Sequence, residues 1–199
     1  MNNEYDVKEV NRRLCRSLRH DLTTEEITNF ALLQPLDVNF IKFVEFCKVN
    51  NIPITIVSDG YEEYIRPILS QYNLSDIAIY CNRLVKDEEG FYPAFFGAVE
   101  GCHCSTASCK RNVVLNNSEE KDIIVYIGDG YTDFCGAEHS DIVFAKSKLA
   151  AYCNEHKIPH HPYKTFFDVY RILENKIKTN NLQPRHQARM KRKLAFETE

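Results

Sequence analysis

Residues 123–127, Ile-Ile-Val-Tyr-Ile, form an unbroken apolar run that stops at Gly128-Asp-Gly-Tyr-Thr-Asp133, and this junction constrains the fold more than any other stretch. So short and so apolar a run fits a buried strand of a parallel sheet. Two carboxylates, Asp129 and Asp133, then fall at its carboxyl end, separated by a glycine turn. Open α/β sheets gather ligands at that edge, and two acidic oxygen donors there can hold a hard cation such as Mg²⁺. The plainer alternative is a glycine turn with a helix-capping Asp. It is the weaker one, because a buried strand that delivers acids to one edge points to a site.

The rest of the chain alternates around that strand. Helices are expected over Asp6–Leu18 and Thr24–Leu33, the second opened by the capping pattern Asp21-Leu-Thr-Thr-Glu-Glu, and over Val38–Val49, which sets Phe40, Ile41, Val44, Phe46 and Cys47 on an apolar face. A strand at Ile52–Val57, a helix at Tyr61–Tyr72 and a short strand at Ile77–Tyr80 follow. Asn82–Gly101 reads as an irregular or hairpin excursion, with Gly90, Pro93 and Gly97 among aromatics. A helix near Ser108–Leu115, the strand Ile123–Ile127, a helix from Thr132, a strand at Ile142–Phe144 and helices near Lys148–Cys153 and Thr165–Ile177 complete the pattern. Such alternation predicts an α/β fold with a Rossmann-like, doubly wound parallel sheet. From about Lys176 the chain turns polar and basic and reads as a frayed helical or disordered tail.

With 199 residues, 44% of them hydrophobic, the chain can build one sizeable core, or one core and a small lobe. A net charge of −3 argues against nucleic acid or a membrane surface as the main partner. No run reaches the length of a membrane span and residues 1–10 hold no apolar signal segment, so a cytoplasmic location is expected. In that setting the eight cysteines read as thiols.

Three short elements carry chemistry. Val57-Ser-Asp-Gly60 offers a hydroxyl and backbone N–H groups to a phosphate, although a helix cap is an equally good account. Cys102-His-Cys-Ser-Thr-Ala-Ser-Cys-Lys110 ends in a lysine able to neutralise phosphate and carboxylate charge together, although a lone lysine is more often solvated. The third is the Asp129/Asp133 turn. Cysteines 102, 104 and 109, with His103 adjacent and Cys81 upstream, also raise a rival reading as soft ligands for zinc. Their Cys-x-Cys-x₄-Cys spacing lacks the usual paired knuckles. His160-His161, between Pro159 and Pro162, reads as a loop.

Together, in this order, the three elements resemble the haloacid dehalogenase superfamily of phosphohydrolases, in its phosphoserine-phosphatase-like branch. Ile56-Val-Ser-Asp-Gly60 matches the family's second motif, Cys109-Lys110 the third and Tyr126-Ile-Gly-Asp-Gly-Tyr-Thr-Asp133 the fourth, with the continuation Ala137–Lys146 also typical. The resemblance runs from about Thr23 to Leu173. It implies that Ser58, helped by the N–H groups of Asp59 and Gly60, binds a phosphate oxygen. Lys110 would be the catalytic cation, Asp129 a Mg²⁺ ligand, and Asp133 a direct or water-mediated one. The implied substrate is a small phosphorylated metabolite.

The family's first motif, a strand ending in Asp-x-Asp-Gly-Thr whose first Asp attacks phosphorus, has no counterpart. His20-Asp-Leu-Thr-Thr24 lacks both the apolar strand and the paired Asp. That strand sits centrally in the family's sheet, between those of motifs two and four, so two strands are expected to lose a neighbour. Residues 1–34 would be the remnant of a small helical cap, 35–178 the core and 179–199 a basic tail. The chain as written is expected to be inactive, as a fragment, a degenerate copy, or a variant in which another segment fills the gap. The alternatives to a phosphatase are a non-catalytic phosphate-binding or interaction module and a zinc-binding protein.

Overall fold

The computed structural model describes residues 7–97, 102, 104 and 106–198. These fall into two compact units, residues 7–97 with 106–108, and residues 102 and 104 with 109–198.

The first unit opens with three helices, α1 (Val7–Arg16), α2 (Thr24–Leu32) and α3 (Val38–Val49). The expected cap of α2 is formed in full: Thr23 Oγ1 accepts the Glu26 N–H at 3.2 Å, and Glu26 Oε2 accepts the Thr23 N–H at 2.9 Å. Helix α3 buries Phe40, Phe43, Val44 and Cys47. Strand β1 (Thr55–Tyr61) follows, then α4 (Glu62–Gln71), β2 (Ala78–Asp87) and β3 (Gly90–Ala94). Strand β1 pairs parallel with β2, and β2 antiparallel with β3. Helix α1 packs on β3, and α2 on α4.

Two boundaries differ from the sequence-based expectation. Strand β2 is ten residues long rather than four, because its second half, Arg83–Asp87, pairs with β3 in a hairpin. Asp87 Oδ1 accepts the Glu89 N–H at 2.8 Å and Gly90 takes φ +117°, which closes the turn. Strand β1 runs on to Tyr61, with an irregularity in pairing between Ser58 and Tyr61, so Ser58-Asp-Gly60 lies in a bulged strand end. Residues 98–101, the end of the expected excursion, lie outside the described residues.

The second unit holds α5 (Lys110–Asn116), β4 (Val125–Gly128), a 3₁₀ turn at Tyr131–Asp133, α6 (Phe134–Glu138), β5 (Ile142–Ala145), α7 (Ser147–Glu155), β6 (His161–Pro162), α8 (Phe166–Lys178) and α9 (His186–Thr198). Strands β4, β5 and β6 are parallel in that order, and all four residues of β5 are buried. Val114, Tyr126, Ala137, Val143, Ala145, Leu149, Cys153 and Ile158 form its core. The α/β class and parallel pairing are as expected, but in two three-stranded sheets. Strands β1 and β4, the two expected to lose a neighbour, each lie at an edge among the described residues.

The basic tail is an ordered helix rather than a frayed end. Arg192 on α9 is buried, with its guanidinium 3.1 Å from Asp141 Oδ2 and donating to the His139 carbonyl at 2.7 Å. Arg185, just before α9, donates to the carbonyls of Ala137, Glu138 and Ser140, where α6 runs out of intrahelical partners. A tail that reads as solvated in sequence is held by buried charge.

Candidate active site

The turn after β4 is built around one side chain. Asp133 reaches back so that its Oδ2 accepts the N–H groups of Asp129 and Gly130, each at 2.9 Å, while its Oδ1 accepts from Lys110 Nζ at 2.8 Å and from the Tyr126 hydroxyl at 3.0 Å. Gly128 is needed for this approach, since a Cβ there would lie 2.7 Å from the Asp133 carboxyl carbon. Gly136 gives the same room to Tyr126, whose ring a Cβ would meet at 2.5 Å. The turn is also held from outside: the Lys146 N–H donates to the Gly128 carbonyl and the Leu149 N–H to that of Asp129.

Lys110 and Asp133 form a buried ion pair, each side chain only 8% exposed. Burial by itself pushes the Asp133 carboxyl up, but the Lys110 ammonium and the two backbone N–H groups outweigh it and hold the group below the usual carboxylate range. Four donors fill the acceptor positions of this carboxylate, so it has no lone pair left for a direct bond to a cation. Asp129, on the same turn, is exposed and turned to solvent. The chemistry available here is one open carboxylate for a hard cation, beside a buried ammonium fixed by a saturated one.

In the first unit Ser58 Oγ accepts the Gly60 N–H at 3.0 Å, which commits that N–H locally instead of leaving it for a ligand. A Cβ at Gly60 would collide with the Tyr64 hydroxyl. The Asp59 carbonyl is held by Asn82 Nδ2 at 2.7 Å, and buried Asn82 accepts through Oδ1 from the Phe96 N–H and the Ser108 hydroxyl. Lys110, Asp129 and Asp133 are thus brought together in one unit, while Ser58, Asp59 and Gly60 share the bulged end of β1 in the other.

Tyr126 and Asn82 were missed as supporting residues. Tyr126 sits within an apolar run where an aromatic reads as core, and Asn82 in a stretch without a repeat. The cysteine prediction changes more. Cys102, Cys104 and Cys109, raised only as a rival zinc set, do converge, and the fourth member of the group is Cys135, with all four sulfurs within 4.8 Å of one another. Cys81 lies on β2 of the first unit, and His103 lies outside the described residues. His161 pairs in β6 with Phe144, and His160 Nδ1 lies 3.0 Å from the Ile158 carbonyl.

The chain is similar to known proteins along most of its length. A family profile of haloacid dehalogenase-like hydrolases matches residues 2–138. A 2-hydroxy-3-keto-5-methylthiopentenyl-1-phosphate phosphatase of Brevibacillus brevis is 33% identical over 162 residues, 81% of this chain and 71% of that one. Its counterpart in Exiguobacterium sibiricum is 34% identical over 165 residues, covering 81% and 73%. Among solved structures, a phospho-aspartyl intermediate analogue of phosphoserine phosphatase superposes with a TM-score of 0.61 at 16% identity, over 85% of this chain and 78% of the other. That last likeness speaks to the fold.

Proposed function

The chain belongs to the haloacid dehalogenase-like hydrolase family, and from that premise we propose that it carries the metal-holding and charge-positioning half of a Mg²⁺-dependent phosphomonoesterase of small phosphorylated metabolites, and is not catalytic as it stands. The observation that carries this reading is the buried Lys110–Asp133 pair set beside the open carboxylate of Asp129. The names of its relatives, phosphatases of 2-hydroxy-3-keto-5-methylthiopentenyl-1-phosphate, support the substrate class. A cytoplasmic location, as expected for a chain whose eight cysteines are all free, is part of the same reading.

Asp129 would hold the Mg²⁺ directly, and Asp133 would act on it only through water or through the shape of the turn. The bound cation would neutralise phosphoryl oxygens. Lys110 contributes a fixed positive charge that Asp133 keeps from swinging to solvent. Ser58 is assigned a phosphate oxygen, and the Gly60 N–H serves to orient its hydroxyl. None of these groups supplies an attacking carboxylate, and the sequence holds no Asp-x-Asp-Gly-Thr strand.

The test is hydrolysis of p-nitrophenyl phosphate by the purified chain with and without Mg²⁺, and by the same chain fused to an amino-terminal strand ending in Asp-x-Asp-Gly-Thr. No turnover is expected from the first, and Mg²⁺-dependent turnover from the second, lost in Asp129→Asn. Turnover by the unfused chain that Asp129→Asn stops would place the nucleophile among its own residues, with Asp21 and Asp59 the first to mutate.

A further inference from the structure

The group formed by Cys102, Cys104, Cys109 and Cys135 lies wholly within the second unit, and nothing in the phosphatase reading uses it. Two of the sulfurs come from the segment leading into α5, the third from the residue that caps α5, and the fourth from the first turn of α6. Cys109 and Cys135 are buried and Cys102 and Cys104 half-buried, so the group is partly shielded from solvent. The Cys109 and Cys135 sulfurs are 3.9 Å apart, and no pair among the four exceeds 4.8 Å. Disulfides would draw the sulfurs together two by two, at about 2 Å within each pair. Convergence of all four on one point is what a central ion requires. With Zn–S bonds of about 2.3 Å, a tetrahedron has edges of about 3.8 Å, so the quartet needs only slight contraction to close on one.

We propose that these four cysteines bind a structural Zn²⁺, a second metal site distinct from the hard-cation site at Asp129. Four thiolates leave no open position, which excludes a catalytic water on this ion and makes its role mechanical. Zinc is favoured over harder cations by the all-sulfur donor set, and a closed-shell ion tolerates the unequal spacing of these edges. Binding releases the thiol protons as the Zn–S bonds form, and no oxidant or reductant is involved. The consequence lies one residue away. Cys109 precedes Lys110, and Cys135 follows Asp133 by two residues, so a zinc bridge between them clamps the two chain segments whose side chains make the buried ion pair. Cys102 and Cys104 tie the preceding segment to the same point.

This inference stands whether or not the phosphatase reading holds, and its test does not use activity. The full chain, purified from zinc-supplemented culture, is analysed by plasma mass spectrometry, and thiols are titrated with a mercurial while released zinc is followed with an indicator dye. About one zinc per chain is expected, released in step with the first four thiols to react. Cys102→Ser and Cys104→Ser, at half-buried positions where the substitution itself leaves the core intact, should retain less than about a tenth of the metal. Cys153→Ser, a buried thiol elsewhere in the same unit, should keep it all. A metal-free folded chain, iron in place of zinc, or zinc that survives Cys102→Ser and Cys104→Ser would each overturn the proposal. The mercurial titration of the unsubstituted chain decides the matter even if a variant fails to fold.

Discussion

Asp133 and Asp129 sit four residues apart and have opposite physical roles, which makes them separable by substitution. Asp133→Asn leaves the Lys110 ammonium buried with a neutral amide as partner, and should cost about 3–5 kcal/mol of stability in a urea titration, as broken buried pairs do. Asp129→Asn removes an exposed charge, and should change stability by less than about 0.5 kcal/mol while abolishing Mg²⁺ binding measured by calorimetry. Equal losses from the two would mean that the turn is not organised around Asp133. His139 makes a pH-dependent contribution in the same unit. Burial lowers its pKa to about 4, despite the hydrogen bond its Nδ1 makes to the Cys135 carbonyl. With the folded value depressed, the unfolded chain takes up the proton first. Stability should therefore be full above the ordinary value of about 6.5, fall through the window down to pH 4, and level off below it, a loss of about 3 kcal/mol in all. His139→Gln should flatten that slope when melts are compared across the window; an unchanged slope would assign it to other groups.

At the scale of elements, α9 is the piece whose role departs most from its composition. Its buried Arg192 and the preceding Arg185 are bound to carbonyls at the end of α6 and to Asp141, whose Oδ2 also accepts the Ile124 N–H at 2.9 Å just ahead of β4. The tail thereby braces the strand that delivers Asp129. Arg192→Met leaves Asp141 buried with its charge uncompensated by that partner, and should destabilise by about 3 kcal/mol, read as a drop in thermal midpoint. A midpoint within a degree of the parent would show that the helix is dispensable. Helix α6 is only five residues long and cannot stand alone. It is held by Arg185 at one end and by packing of Ala137 and Cys135 along its length.

At the scale of the whole molecule, the two sheets present β1 and β4 at their edges, and neither strand is bounded there by another among the described residues. Unpaired parallel edges template association, so static light scattering of the chain should show mass rising with concentration. A monomer with a sharp cooperative melt would mean that both edges are covered. Much of this architecture was legible in the residues themselves. The Ile123–Ile127 run, the Thr23/Glu26 cap and the glycine punctuation report local physics: side-chain period, free N–H groups and backbone freedom, each decided within a few residues. Ser58, Lys110, Asp129 and Asp133 were picked out by a family resemblance, and the structure sets them at the ends of β1 and β4, the start of α5 and the turn after β4. What sequence could not decide was anything resting on contacts between distant segments. Cys135 lies 26 residues from Cys109, in a helix where a cysteine reads as a small core residue, and only packing sets their sulfurs 3.9 Å apart. Arg192 looks solvated until Asp141, 51 residues away, is brought against it. Whether Asp133 meets a cation directly or through water is likewise not written locally, since the four donors that fill its oxygens come from α5, β4 and its own turn. Local geometry is encoded where it occurs, whereas the partner of a buried polar group is chosen by the fold, because only tertiary packing removes the water that would otherwise satisfy it.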